Sequence, residues 1–299
     1  MSKASKWIVG ILLAIFFLVG LFLLTLYAWL FSEPEDESTS TFGEKVALVE
    51  LIEPIYSSEN IVRQFKKYRD NKAVKAIVFR VESPGGGVSA SQEIYEEVKK
   101  TRQTKPVVVS MGSVAASGGY YVSLGATRIV ANPGTVTGSI GVIFQFLHVN
   151  ELLKKIGIDA STYKSGKFKD AGSPFRKPTE EEKKYFGEVI GDVYDQFVAA
   201  VTKERKMTRA KVLRYADGRI FTGRMALEYG FVDTLGTLED AISIAGELGS
   251  IKGKPKVIKE QKLRPFFERL LGEAATDLVN LRDEFLRQPV VQYKFIAPY

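Results

Sequence analysis

A chain of 299 residues, 45% hydrophobic and 26% charged, is long and apolar enough for one or two packed domains, which excludes pervasive disorder. It has no cysteine and a single histidine, His148, so disulfide frameworks, thiol nucleophiles and the usual Cys/His metal cages are ruled out, and no cofactor or metal is expected. The net charge of +7 makes the surface basic, but no nucleic-acid motif accompanies it, and no nucleic-acid partner is expected.

Residues 1–6 form a short basic N-terminus. From Trp7 to Phe31 run 25 residues without a charge, enough for a helix to cross a hydrocarbon core of about 30 Å. The run outlasts the apolar core of a cleaved signal peptide, roughly 7 to 15 residues, so a retained transmembrane anchor is expected. Lys3 and Lys6 precede it and Glu33, Glu35, Asp36 and Glu37 follow it. The positive-inside rule then leaves the N-terminus in the cytoplasm of a single-pass protein and puts everything after Phe31 outside. Removing the first 37 residues raises the net charge to +9, a balance that favours an anionic lipid surface as a partner.

Residues 32–43, opening Ser32-Glu33-Pro34-Glu35-Asp36, read as an acidic flexible linker. A catalytic domain is expected over residues 44–250. Val46–Ile52 reads as a strand, and Ala76–Phe79 and Val107–Val109 are short apolar runs typical of parallel strands buried on both faces. Asn60–Tyr68 and Ser89–Thr101 carry apolar residues at helical spacing, so strand and helix alternate and the class is α/β. Glu180–Lys206 is a longer helical stretch with a stripe of Tyr185, Phe186, Val189, Ile190, Val193, Phe197 and Val201, which suits core packing or a subunit contact. Thr237–Leu248 is another helix. Within residues 251–299, Pro265–Arg287 reads as a basic amphipathic helix, and the apolar tail from Val290 to Tyr299 is expected to be buried in the core, with packing along a neighbouring subunit or entry into an active-site groove as the alternatives.

Two short segments carry the chemistry. Val107 to Tyr121 reads as a strand, a turn of small residues and a helix opening at Ser117. A helix N-terminus favours developing negative charge, so the Gly118 N–H is a candidate oxyanion donor beside Ser117. The plainer role for Ser117 is an N-cap. Upstream, Ser83-Pro84-Gly85-Gly86-Gly87 lies where a strand meets a helix, and its backbone N–H groups can supply the other half of an oxyanion hole. A phosphate cradle would need a following Gly-Lys-Ser/Thr, which is absent.

A serine nucleophile needs a base. His148 sits in the apolar segment Ile143–Val149 and reads as a strand residue. A lysine can serve instead where burial among apolar groups keeps its amine neutral, a perturbation of about 4 kcal/mol for three pKa units. Lys164, Lys167 and Lys169 compete in Tyr163–Asp170, a Gly-containing segment whose plain reading is a solvated basic loop.

Together these segments resemble the signal peptide peptidase A family in its short form, a group of serine peptidases of the ClpP/crotonase fold. The likeness covers roughly residues 44–250. Ser83–Gly87 is similar to the family's Ser-Pro-Gly-Gly-Gly loop, Ala116–Tyr121 to its nucleophile motif, Thr137–Val142 to its Thr-Gly-Ser-Ile-Gly-Val strand and Ser165–Asp170 to its Ser-Gly-x-x-Lys-Asp. The resemblance implies a repeated β-β-α superhelix after the anchor, Ser117 as nucleophile, Lys169 as general base, Ser139 orienting the lysine, and Gly85, Gly86 and Gly118 as oxyanion donors. It further implies a homo-oligomeric ring whose dyad is completed within or between chains, remnant signal peptides as substrates, and a specificity pocket for small apolar side chains. A crotonase-type acyl-CoA enzyme shares the fold, and a noncatalytic membrane-tethered scaffold would share the anchor. Site residues separate these readings; the fold does not.

Overall fold

The structure is a computed structural model and describes residues 7, 12, 15–25, 43–260 and 292–294. These fall into two units: helix α1, residues 15–25, in one, and residues 43–260 with 292–294 in the other. The α1 side chains are exposed. Among the described residues no helix is long and apolar enough to cross a membrane. The rest of the expected span Trp7–Phe31, the linker before Gly43 and the expected helix Pro265–Arg287 lie outside the described residues.

The larger unit is built on parallel strands β1 (Lys45–Leu51), β2 (Val74–Ser83) and β4 (Val107–Ala116). Strands β2 and β4 run beyond the apolar runs Ala76–Phe79 and Val107–Val109 that announced them, whereas β1 has the expected seven residues shifted by one. Helix α2 (Glu59–Asp70) crosses from β1 to β2. The short strand β3 (Gly85–Gly87) and helix α3 (Val88–Thr101) lead from β2 to β4. The chain continues through helix α4 (Gly118–Ser123), strands β5 (Arg128–Ala131) and β6 (Val136–Gly138), and helices α5 (Asn150–Lys155), α6 (Glu180–Glu204) and α7 (Arg209–Leu213). Strand β7 (Ile220–Thr222), helix α8 (Gly223–Tyr229), strand β8 (Thr234–Leu235), helix α9 (Leu238–Leu248) and strands β9 (Lys256–Lys259) and β10 (Gln292–Lys294) complete it.

The main sheet runs β7-β6-β4-β2-β1-β9, with β5 branching from β4 and carrying β8. All its pairings are parallel except β6 with β7. Alternation sorts the core, since successive residues of a strand face opposite ways. Ala47, Val49, Leu51, Ile77, Phe79, Val81, Val107, Val109 and Met111 face one cluster with Phe65 and Tyr68 of α2. Val46, Leu48, Ala76, Val78 and Val108 face a second cluster with Ala241, Ile242 and Ala245 of α9. Phe65 meets Phe79 edge to face at 5.2 Å, and burying each such ring stabilises the domain by about 2–3 kcal/mol.

Strand β4 forks. Val108–Met111 pair with β5, whereas Val114–Ala116 pair with β6. At the fork the Glu82 carboxylate accepts hydrogen bonds from the N–H groups of Ser113 (2.9 Å) and Val114 (3.1 Å).

One sequence-based expectation needs correction. His148 lies in an exposed loop and not in a strand. Its neighbours Phe144 and Phe146 pack on Phe186 of α6, and of Ile143–Val149 only Ile143 forms a β-bridge. The apolar stripe of α6 is buried only in its C-terminal half, at Phe197 and Val201, while Tyr185 is 42% exposed. The helix begins at a Thr179 capping box with Glu182, which fixes its start without needing cover over the first turns.

Arg205, just beyond α6, ties the last part of the domain to β5. Its guanidinium donates to Asp233 at 2.8 Å and to the Gly230 carbonyl at 3.0 Å, while Asp233 also accepts the Ile129 N–H at 2.7 Å. Asp233→Ala removes the only carboxylate partner that the described residues give a mostly buried guanidinium and leaves a strand amide unpaired, so we expect a loss of about 3 kcal/mol. Urea denaturation followed by circular dichroism measures it.

Candidate active site

Strands β2 and β4 are neighbours and Ser83 pairs with Ala115, so the turns after both strands emerge at the same edge. There the two glycine segments interlock. A Cβ on Gly118 would sit 3.0 Å from Gly85 Cα and 3.1 Å from the Gly86 nitrogen, and one on Gly85 would lie 2.6 Å from the Gly118 nitrogen. No side chain fits between them, and Gly85 has φ +99°, a conformation that glycine adopts without steric cost. The structure thus brings Gly85, Gly86 and Gly118 together.

Ser117 stands at the head of α4 in a backbone conformation, φ 54° and ψ −113°, that is sterically costly for a residue with a Cβ. Two bonds hold it there: its N–H donates to the Gly138 carbonyl at 2.8 Å, and its carbonyl accepts the Tyr121 N–H at 2.8 Å. The plain N-cap role fails, since its side chain makes no capping bond. The residue is 1% exposed, and Oγ has no hydrogen-bond partner among the described residues. A buried hydroxyl without a partner costs about 1–3 kcal/mol. Strain and an unpaired hydroxyl at a sharp strand-to-helix turn make Ser117 the candidate nucleophile.

Ser139 sits next to it. Ala116 pairs with Gly138 between β4 and β6, and each serine follows its strand by one residue. Ser139 is also buried with positive φ, 51°, and its N–H donates to the Arg219 carbonyl at 2.8 Å. Thr137 Oγ1 fastens β6 to β4 by donating to the Ala115 carbonyl at 2.7 Å.

The lysine segment is apart from this cluster. Lys164 donates to Asp170 and to its own loop at the Lys167 carbonyl, and Lys167 pairs with Glu181. Asp170 and Glu182 both grip Arg176. Hydrogen bonds from Arg176 hold the Asp170 carboxyl far below the usual carboxylate range and the Glu182 carboxyl down at about 2, so this clamp stays charged at neutral pH. Lys169 is exposed, its N–H bonded to the Gly166 carbonyl at 3.1 Å. Its amine has no hydrogen bond or ion pair among the described residues. Within one chain it does not reach Ser117 Oγ, which has no partner there.

An extended segment already runs along the edge. Strand β10 pairs antiparallel with β3, Tyr293 opposite Gly86. On its other side Gln292 exchanges bonds with Ile143, 3.2 Å from the Ile143 N–H and 3.4 Å to the Ile143 carbonyl. Ile55 closes the floor, exchanging bonds with Gly85 and Gly87 at 2.8 and 2.7 Å. Ile55, Ile143 and Tyr293 carry no local signal of this role, because three segments remote in sequence build the groove together.

A model of peptidase family S49 matches residues 99–252, and one of Clp protease matches residues 44–133. A protein of Enterococcus faecium named as a candidate signal peptide peptidase is 45% identical over 62% of this chain and 55% of its own length. A candidate protease of Synechocystis is 41% identical over 78% of this chain and 85% of its own length. The chloroplastic serine protease SPPA of Arabidopsis thaliana is 36% identical over 70% of this chain but 31% of its own length. Among solved structures, a mutant ClpP1 of Listeria monocytogenes aligns at 16% identity and TM-score 0.45, over 65% of this chain and 93% of that one.

Proposed function

Because the chain belongs to peptidase family S49, we propose that it is a serine endopeptidase working with a Ser117/Lys169 dyad. The observation that carries this reading is Ser117 itself: buried, held at positive φ, its hydroxyl unpaired and the Gly118 N–H next in the chain. Ser117 Oγ attacks the carbonyl carbon of an extended peptide while the neutral Lys169 amine takes the hydroxyl proton. The N–H groups of Gly118 and of Gly85 or Gly86 receive the negative oxygen. As the C–N bond breaks, the ammonium returns that proton to the leaving amine. Water then cleaves the acyl ester, restoring the serine.

The lysine arrives from a second copy in this proposal. Lys169 is exposed and the Ser117 hydroxyl buried, and the segment that bears Lys169 is rich in uncovered apolar groups, with Tyr163 at 97%, Leu147 at 77% and Phe175 at 49% exposure. Such a surface suits burial against a neighbour, and a ring of copies joined head to tail would seat each Lys169 beside the next Ser117. Ser139, adjacent to Ser117, then accepts a hydrogen bond from the incoming amine and orients it.

The expected anchor, Trp7–Phe31, would tether this domain to the outer face of the cytoplasmic membrane, where remnant signal peptides are the substrates in reach. Purified full-length wild type should hydrolyse a peptide patterned on a signal-peptide core, and Ser117→Ala should not, a loss of at least about 10³-fold. Equal rates in the two proteins, followed by mass spectrometry of the products, would remove the reading.

A further inference from the structure

The carboxylate that follows the proposed base in the chain is withheld from it. Asp170 comes directly after Lys169, and sequence neighbours do pair in this protein, as Arg69 and Asp70 show at 3.8 Å. Such a pair would hold the Lys169 amine in its charged form, which accepts no proton. Yet both Asp170 oxygens are occupied. The Arg176 guanidinium donates through Nε to Oδ2 at 2.8 Å and through Nη2 to Oδ1 at 2.9 Å, and Lys164 also donates to Oδ1.

Arg176 is fixed from its far side as well. Its Nη1 donates to Glu182 Oε2 at 2.8 Å and its Nη2 to Glu182 Oε1. Glu182 is buried in the first turn of α6, where it also accepts the Thr179 N–H at 2.8 Å. A planar fork matched to a carboxylate on each side cannot swing away from Asp170 without abandoning Glu182. The two carboxylates and the cations Arg176 and Lys164 cancel in charge, so the cluster lays little net field on the amine beside it. The other charges on this turn and on the helices packed against it are matched too, Lys167 with Glu181 of α6 and Lys177 with Glu151 of α5. Tyr185 of α6 meets the turn through its ring, stacked on Phe168. Of the turn's three lysines, only Lys169 has no ion pair among the described residues.

We propose that Arg176 is a positioning residue for proton transfer: by filling both oxygens of Asp170 it keeps that carboxylate off Lys169 and leaves the amine able to lose its proton. This rests on the endopeptidase reading and adds to it the group that governs the base. Lys164 assists by closing a further lone pair of Oδ1.

The test follows hydrolysis of the signal-peptide-core substrate across a pH series by full-length wild type, Arg176→Gln and Arg176→Gln/Asp170→Asn. Freeing Asp170 in Arg176→Gln should move the rise of kcat/KM about one unit to higher pH. That is a loss of about tenfold below the midpoint, with the alkaline plateau within about threefold of wild type. Adding Asp170→Asn should bring the midpoint back. Arg176→Lys, which keeps a charge but cannot bridge two carboxylates, covers the case in which the glutamine variant does not fold, and should shift the midpoint the same way by about half as much. A midpoint unmoved in the folded variants, or a fall equal at every pH that Asp170→Asn does not reverse, means that the clamp only holds the fold and overturns the proposal. Acetylation of Lys169 by acetic anhydride, located by mass spectrometry, reads the same midpoint without a substrate. If wild type leaves the peptide intact while the labelling midpoint shifts as expected, the peptidase reading alone falls. Hydrolysis with an unmoved midpoint in both assays removes the clamp alone.

Discussion

Lys169→Ala is expected to reduce peptide hydrolysis by at least about 10³-fold, whereas Lys167→Ala keeps activity within about threefold of wild type. The three lysines of the loop look alike in composition but not in surroundings. Lys164 and Lys167 are each engaged by a carboxylate, Asp170 and Glu181, and an amine held in an ion pair is not free to meet the Ser117 hydroxyl. Lys169 has no such neighbour among the described residues, so an apolar, closed interface would meet no opposing charge in keeping its amine neutral. Activity should rise with pH, because only the uncharged amine accepts the Ser117 proton. Initial rates for the three alanine variants across a pH series decide it. Activity lost in Lys167→Ala but kept in Lys169→Ala would move the base, and a rate that peaks in acid would remove an amine from the mechanism.

Mixing two dead proteins should give a live one. If Ser117 is served by the Lys169 of a neighbour, Ser117→Ala and Lys169→Ala subunits co-assembled in equal amounts place an intact serine against an intact lysine at one junction in four. Activity should then return to about a quarter of wild type from near zero. Assembly must be scrambled first, by dissociating and reassociating the mixture, and the unscrambled mixture is the control. No recovery in a verified hetero-oligomer would mean that the dyad closes within one chain, through a rearrangement that carries the 164–170 segment onto its own Ser117. The experiment therefore measures the geometry of the reaction without needing a ligand-bound structure.

Local pattern exposed the main sheet and the nucleophile turn but not the groove. The runs Ala76–Phe79 and Val107–Val109 announced β2 and β4 because strands buried on both faces need unbroken apolar sequence. The triple glycine and the Ala-Ala-Ser-Gly-Gly turn were legible for a related reason: backbones that meet at van der Waals distance allow no Cβ, and only small residues satisfy that demand. Choosing Lys169 from three lysines took family resemblance, since the separation of paired from unpaired amines depends on Asp170, Glu181 and their distances. The period of α6 marked its apolar stripe but not which part the chain covers: Phe197 and Val201 are buried, whereas Tyr185 is 42% exposed among the described residues. Entry of the tail into a groove was one open reading of Val290–Tyr299, but the burial of Tyr293 was not legible, because its ring partners Tyr121 and Phe197 lie over 90 residues away in sequence.

The forked strand separates two duties along ten residues. Its opening half is pressed between two apolar layers and carries Val107, Val108 and Val109 at zero exposure, while its closing half leans on a carboxylate and a short third strand to reach the serine. Glu82 works there as a splint, substituting one side chain for the stretch of ladder that neither partner supplies. The break in the ladder thus falls between the packed foundation of the domain and the turn that carries Ser117.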